Sequence, residues 1–109
     1  MLFFNMRKIG SWLERTHTKA ILIELSKKDK TYLTELREAI GKGSSSTIDN
    51  VLMDLYFNGL IEEEIEDKFG GRRNIWLTQK GKQIAQKLIE IDEIIKKDQH
   101  EKEISEEKN

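Results

Sequence analysis

The chain has 109 residues, 37% of them hydrophobic and 36% charged, which fits one domain with a small core and room for one long appendage. It has no cysteine, which excludes disulfides, thiolate metal sites and cysteine nucleophiles, and no proline, which excludes a proline-rich linker. The net charge of −1 is far from strongly basic, but it is unevenly spread: residues 1–41 carry eight basic and five acidic side chains, and residues 83–109 carry five basic and eight acidic.

The first residues, MLFFNM, are apolar but too short to span a membrane, and the basic pair Arg7 and Lys8 follows them instead of preceding them. Neither a signal peptide nor a membrane partner is expected, and the reading is an intracellular protein. Leu2, Met6, Ile9 and Leu13 are spaced four, three and four apart, with Phe3, Phe4 and Trp12 beside them. That spacing predicts an N-terminal helix with a broad apolar stripe, packed on the protein's own core or on a second subunit. Thr16 or Thr18 is expected to cap a second helix through about Lys28, with Ile21, Leu22 and Leu25 facing inward. Tyr32 and Leu33 suit a short strand. Thr34 then suits the N-cap of a helix through Ile40 that buries Leu36, Ala39 and Ile40, with Gly41 just past its end.

Gly41-Lys42-Gly43-Ser44 reads as a turn, so the short helices on either side make a helix-turn-helix by spacing. Ser45 or Ser46 is expected to cap the next helix, and Ser46 with Asp49 fits a loose capping box. Ile48, Val51, Leu52 and Leu55 form its buried face, leaving Ser45, Thr47, Asn50, Asp54 and Asn58 outward. The helix ends at Gly59. A first strand follows around Leu60, Ile61 and Ile65, and Glu62, Glu63 and Glu64 are expected to be a solvated edge. Lys68-Phe69-Gly70-Gly71-Arg72-Arg73 is the tip of a hairpin, where paired glycines permit positive φ. Ile75 and Leu77 should share one face of the return strand, with Trp76 on the other.

Thr78 is expected to cap the last helix. Lys80 and Lys82 in its first turn sit against the helix dipole, so they are either solvated or beside an external anion. Ile84, Leu88, Ile91 and Ile95 then form an a/d seam widened by Ala85, Ile89 and Ile94, which predicts a long dimerising helix with coiled-coil character to Asp98. Residues 1–98 are therefore read as the domain, and 99–109, QHEKEISEEKN, as a polar, disordered tail.

No constellation for catalysis is present. His17 and His100 have no metal-ligand neighbours at useful spacing, and Gly41-Lys42-Gly43-Ser44 lacks the strand and spacing of a phosphate loop. The protein is not expected to be an enzyme or to bind a metal or cofactor. The fold class expected is mainly α with a small β-wing (α+β), a winged helix-turn-helix with an N-terminal helix and a long C-terminal dimerisation helix.

From about Thr18 to Leu88 the sequence resembles winged-helix transcriptional regulators of the PadR and MarR type. The resemblance rests on Leu33-Thr34-Glu35-Leu36, Ser46-Thr47-Ile48-Asp49, Gly59-Leu60-Ile61-Glu62, Gly70-Gly71-Arg72-Arg73 and Leu77-Thr78-Gln79-Lys80-Gly81, in that order and spacing. The long last helix is also similar to the dimerising helices of small archaeal coiled-coil winged-helix DNA-binding proteins. The resemblance implies a cytoplasmic, nucleoid-associated homodimer on double-stranded DNA, paired through its N- and C-terminal helices. The recognition helix, residues 45–58, would enter the major groove, and the wing, residues 67–73, would reach the minor groove or phosphates. By position, Ser45, Ser46, Thr47 and Asn50 match recognition-helix contacts, with Asn50 the candidate adenine reader. Arg72 and Arg73 match wing contacts, and Lys42 and Lys68 phosphate anchors. Asp49 and Asp54 depart from the pattern, standing where such helices often carry cations. Two alternatives stay open: a winged-helix protein–protein interaction module, suggested by the near-neutral charge, and a nucleoid or plasmid-partition DNA-binding protein.

Overall fold

The computed structural model describes residues 11–41, 45–67 and 70–107. A 3-10 turn, Ser11–Glu14, leads into helix α1, Thr18–Leu25. Strand β1, Thr31–Tyr32, runs directly into α2, Leu33–Ile40, and α3 spans Ser45–Phe57. Strands β2, Ile61–Ile65, and β3, Arg73–Leu77, precede the long helix α4, Gln79–Glu107. The three strands form an antiparallel sheet in the order β1-β3-β2, with Thr31 opposite Ile75, and Ile61 opposite Leu77. This is the expected α+β winged helix.

Each helix is held by the apolar side chains that its sequence period predicts. Ile21, Leu22 and Leu25 of α1, Leu36 of α2, and Ile48, Val51, Leu52 and Leu55 of α3 meet Leu60, Ile61, Ile75, Leu77 and Ala85 in one buried cluster. Trp12, Leu33, Ile40, Ile84 and Leu88 pack around it. Burying one such Leu or Ile contributes about 1.5–3 kcal/mol, so this cluster dominates the stability of the domain. Trp76 lies on the opposite face of β3 from Ile75 and Leu77, half-buried, with the Lys30 ammonium 4.9 Å from its ring centroid.

Several local expectations change. Neither Thr16 nor Thr18 caps α1; His17 occupies the N-cap position with φ 74°, and the Thr18 hydroxyl donates to the Trp12 carbonyl at 3.0 Å. Thr18 is thus the first residue of the helix, and its hydroxyl ties the N-terminal turn to it instead of capping it. Helix α1 also ends at Leu25, short of Lys28. Thr34 is not the cap of α2, because Tyr32 precedes the first turn and its N–H donates to the Glu35 carboxylate at 3.4 Å. The strand before it is Thr31–Tyr32, one residue earlier than expected, since pairing with β3 selects those two. Ala39 is exposed, while Leu36 and Ile40 hold the face of a helix too short to bury three positions. Ser45 and Ser46 lie inside the first turn of α3 and not at its cap.

Only residues 11–14 of the expected N-terminal helix are described, and they form a 3-10 turn; the stripe from Leu2 to Ile9 lies outside the described residues. At the other end α4 continues to Glu107, nine residues past Asp98. Backbone i→i−4 bonding propagates there without an apolar seam, so the polar stretch is helical where the sequence suggested disorder. At 29 residues, α4 is about 43 Å long.

Candidate nucleic-acid interface

Helices α2 and α3, joined through Gly41, form the helix-turn-helix, and the β2–β3 hairpin follows α3 at once. That adjacency is fixed by hydrogen bonds at the end of α3. The Leu60 N–H donates to the Leu55 carbonyl at 2.9 Å, the Asn58 side-chain amide to Asp54 O at 2.7 Å, and Lys80 Nζ to Asn58 O at 3.0 Å. Lys80 therefore satisfies a carbonyl at the C-terminus of α3, in place of the external anion considered from its position. Thr78 does cap α4: its hydroxyl accepts the Gly81 N–H at 3.1 Å and donates to Gly59 O at 2.6 Å. Helix α3, the hairpin and the start of α4 are thereby locked into one unit.

A second close approach seals this joint. A Cβ built on Gly81 would stand 2.1 Å from the Leu60 carbonyl oxygen, so only glycine lets α4 pass the backbone at this point. At the far end of the hairpin Gly70 and Gly71 both have positive φ, 71° and 77°, as the tight reversal demands.

The outward surface of α3 is polar over its first half and apolar over its second. Ser45, Ser46 and Asn50 are exposed in this first half and Thr47 is half-buried. Further along the helix Met53, Tyr56 and Phe57 are exposed at 56%, 50% and 77%. With Asp49 of the same helix they line a groove of about 300 Å³ between α3 and the wing, bordered on the wing side by Glu63 and Arg73.

The two wing arginines separate. Arg72 is exposed where the loop meets β3, its guanidinium 5.3 Å from the Tyr32 ring centroid. Arg73 is the first residue of β3, points to the other face of the hairpin, and is only half exposed. Its guanidinium bonds Glu63 across the strands through Nη2 at 2.6 Å and Nε at 3.2 Å. Glu63 is consequently not part of a solvated acidic edge, whereas Glu62 and Glu64 are exposed. Beneath Arg72, Glu66 accepts hydrogen bonds from the Tyr32 hydroxyl at 3.2 Å and the Asn74 amide at 2.5 Å, bracing the wing against β1. Lys42 and Lys68 lie outside the described residues.

Two arginines that the sequence reading passed over also flank α3. Arg37 of α2 pairs with Asp49 at 3.1 Å, and Arg15 pairs with Asp54 at 2.5 Å. The acidic side chains that made α3 look unsuited to a polyanion are therefore neutralised by cations from neighbouring segments. No sequence spacing links Arg15 to Asp54, 39 positions apart; the tertiary fold brings them together. Among the described residues no His, Cys, Asp and Glu cluster could hold a metal, and no helix is long and apolar enough to cross a membrane.

A helix-turn-helix whose second helix presents a polar face, with a hairpin wing locked behind it, is the architecture of DNA-binding transcriptional regulators. The chain belongs to the HxlR-like helix-turn-helix family, which matches residues 13–103. This is a more particular assignment within the winged-helix regulators than the PadR and MarR types that the motifs resemble. Among solved structures, the chain is similar to a MarR-family transcriptional regulator from Porphyromonas gingivalis W83, with 26% identity, TM-score 0.69, and coverage of 84% of this chain and 85% of that one. It is also similar to the Salmonella typhimurium regulator ytfH, with 18% identity, TM-score 0.77, and coverage of 94% and 90%. The Staphylococcus aureus MepR–DNA complex matches with 19% identity, TM-score 0.67, and coverage of 94% and 84%. At those last two identities the likeness concerns the fold. No curated protein matches the chain.

Proposed function

We propose that this DNA-binding regulator acts as a homodimer that places the first half of α3 in the major groove and the wing against the minor groove or phosphates. The observation that carries this reading is the exposure of the polar residues Ser45, Ser46 and Asn50 on the first half of α3, with Arg72 exposed on the wing that follows the same helix. Asn50 is the base reader in this arrangement, since an Asn amide matches the N6 and N7 groups of adenine; Ser45, Ser46 and Thr47 position the helix, and Arg72 approaches phosphate. Lys42 and Lys68, in the turn and the wing loop, are the further phosphate anchors proposed from sequence.

Dimerisation is supported by α4, where Ile91, Ile94 and Ile95 are exposed at 49%, 63% and 46% on a helix that outruns the domain. A run of large apolar groups on one helix favours burial against a second copy. Two recognition helices then meet half-sites about one helical turn of DNA apart.

The test is fluorescence anisotropy of the full chain on labelled duplex DNA across a salt series, with Arg72→Ala and Asn50→Ala as comparisons. Arg72→Ala is expected to weaken binding on all sequences and lower the salt slope by about one unit. Asn50→Ala is expected to relax sequence preference. Absent or salt-independent binding would dismiss the proposal.

A further inference from the structure

Three arginines beside α3 share one feature: each is held by a carboxylate of the same chain. Arg37 is held by Asp49, Arg73 by Glu63 and Arg15 by Asp54. One whole pair and the acid of another meet in one place: Arg73, Glu63 and Asp49 all border the groove between α3 and the wing. The pairs are solvent-accessible: Arg37 and Asp49 are 36% and 45% exposed, and Arg73 and Glu63 are 31% and 30% exposed. An accessible ion pair is weak, so a second anion can compete for its cation. A phosphate diester offers the same planar pair of oxygens to a guanidinium as a carboxylate does.

Resting on the DNA-binding reading above, we infer that Arg37 and Arg73 form a phosphate-binding pair masked by Asp49 and Glu63, and that DNA phosphates displace these carboxylates on binding. Arg15, held by Asp54 on the opposite flank of α3, extends the set. In the free protein the masking keeps the groove close to neutral, which accounts for a DNA-facing surface without an excess of positive charge. On DNA, each arginine exchanges a carboxylate for a phosphate, and each released acid repels the same backbone. Asp49 and Glu63 therefore set the affinity downward, without touching a base. The exchange makes binding weak on arbitrary DNA and leaves discrimination to the polar first half of α3.

The experiment measures binding of the full chain and its variants to a labelled mixed-sequence duplex of about 30 base pairs, at about 0.1 M salt and across a salt series. Asp49→Asn and Glu63→Gln are expected to tighten binding about three- to fivefold each, and the double variant about tenfold or more, given the modest strength of exposed pairs. Glu62→Gln, on the other face of β2, makes the same charge change away from the groove and is expected to alter binding by less than about twofold. The gain from Asp49→Asn should vanish when Arg37→Gln is also present, because Asp49 acts through Arg37. Thermal melting confirms that each variant is folded. Binding by Asp49→Asn and Glu63→Gln that is no tighter than by Glu62→Gln, or a gain that survives Arg37→Gln, overturns the masking. Failure of the wild type and every variant to bind any duplex overturns the DNA reading itself.

Discussion

The joint between the wing and α4 is the most sharply defined contact in the molecule, and Gly81→Ala tests it directly. By helix propensity alone, alanine within α4 is favoured over glycine by about 1 kcal/mol. The tertiary contact opposes this. The new Cβ would lie 2.1 Å from Leu60 O, 3.0 Å from Leu60 C and 3.1 Å from Leu77 Cδ2. Two of these atoms are backbone, so no rotamer relieves the overlap, and α4 or the Gly59–Leu60 segment has to shift by about 1 Å to restore ordinary contact. Leu60 is completely buried, and that segment carries two hydrogen bonds to the helix cap: Thr78 N–H to Leu60 O at 2.9 Å and Thr78 hydroxyl to Gly59 O at 2.6 Å. Overpacking costs about 1–3 kcal/mol, and weakening the two bonds costs roughly 1 kcal/mol each. After the propensity gain is subtracted, the net loss is about 2–4 kcal/mol. For a domain of this size that lowers the melting temperature by on the order of 10–25 °C. Urea denaturation and thermal melting, each followed by circular dichroism, measure it. Gly70→Ala is the control, because Gly70 has positive φ but no atom near the added Cβ, and its cost is limited to about 1–2 kcal/mol of backbone strain. An alanine at position 81 that leaves stability unchanged or raises it would refute the reasoning, because propensity would then outweigh a contact of that closeness.

Other expectations follow from neighbouring features. Thr78→Val keeps the shape of the side chain but removes the hydroxyl that serves both Gly81 and Gly59, and should cost about 1–2 kcal/mol in urea melts. The Lys28 ammonium and the Tyr32 N–H hold the Glu35 carboxyl below its ordinary value. A depressed carboxylate contributes stability that is present above its unfolded pKa and lost as pH falls through the folded one, so acid melts of wild type and Glu35→Gln should converge below the usual carboxylate range. A wild type no more stable than Glu35→Gln at neutral pH would contradict this. If the chain pairs through α4 as proposed, replacing Ile94 and Ile95 by Asp should give a monomer in multi-angle light scattering where the wild type is a dimer, while circular dichroism keeps the helical signal; an unchanged mass would refute pairing through this face.

Much of the fold was legible because periodic burial is a local property of sequence. Ile48, Val51, Leu52 and Leu55 had to share one side of α3, and Ile75 with Leu77 one face of β3, whatever the rest of the chain did. Helix starts were less legible. Thr16, Thr18 and Thr34 were all good capping residues by type, yet His17 and Tyr32 took the positions, because the choice among adjacent candidates was made by contacts with Trp12, β3 and Glu35. The candidate interface divides in the same way. The helix period turns Ser45, Thr47 and Asn50 outward and the family resemblance adds Ser46, while the pairing of Arg73 with Glu63 depends on the register of β2 against β3.

Sequence by itself therefore determined a winged helix-turn-helix, its buried face and the polar surface of α3, since each depends on residue type and spacing along a few turns of chain. Only the tertiary structure decided the electrostatics of that surface. It paired Arg15, Arg37 and Arg73 with Asp54, Asp49 and Glu63, turned Arg72 and Arg73 to opposite sides of the wing, and drew Lys80 to the end of α3. Charges act across space between segments distant in sequence, so their balance at a site exists only once the chain has folded.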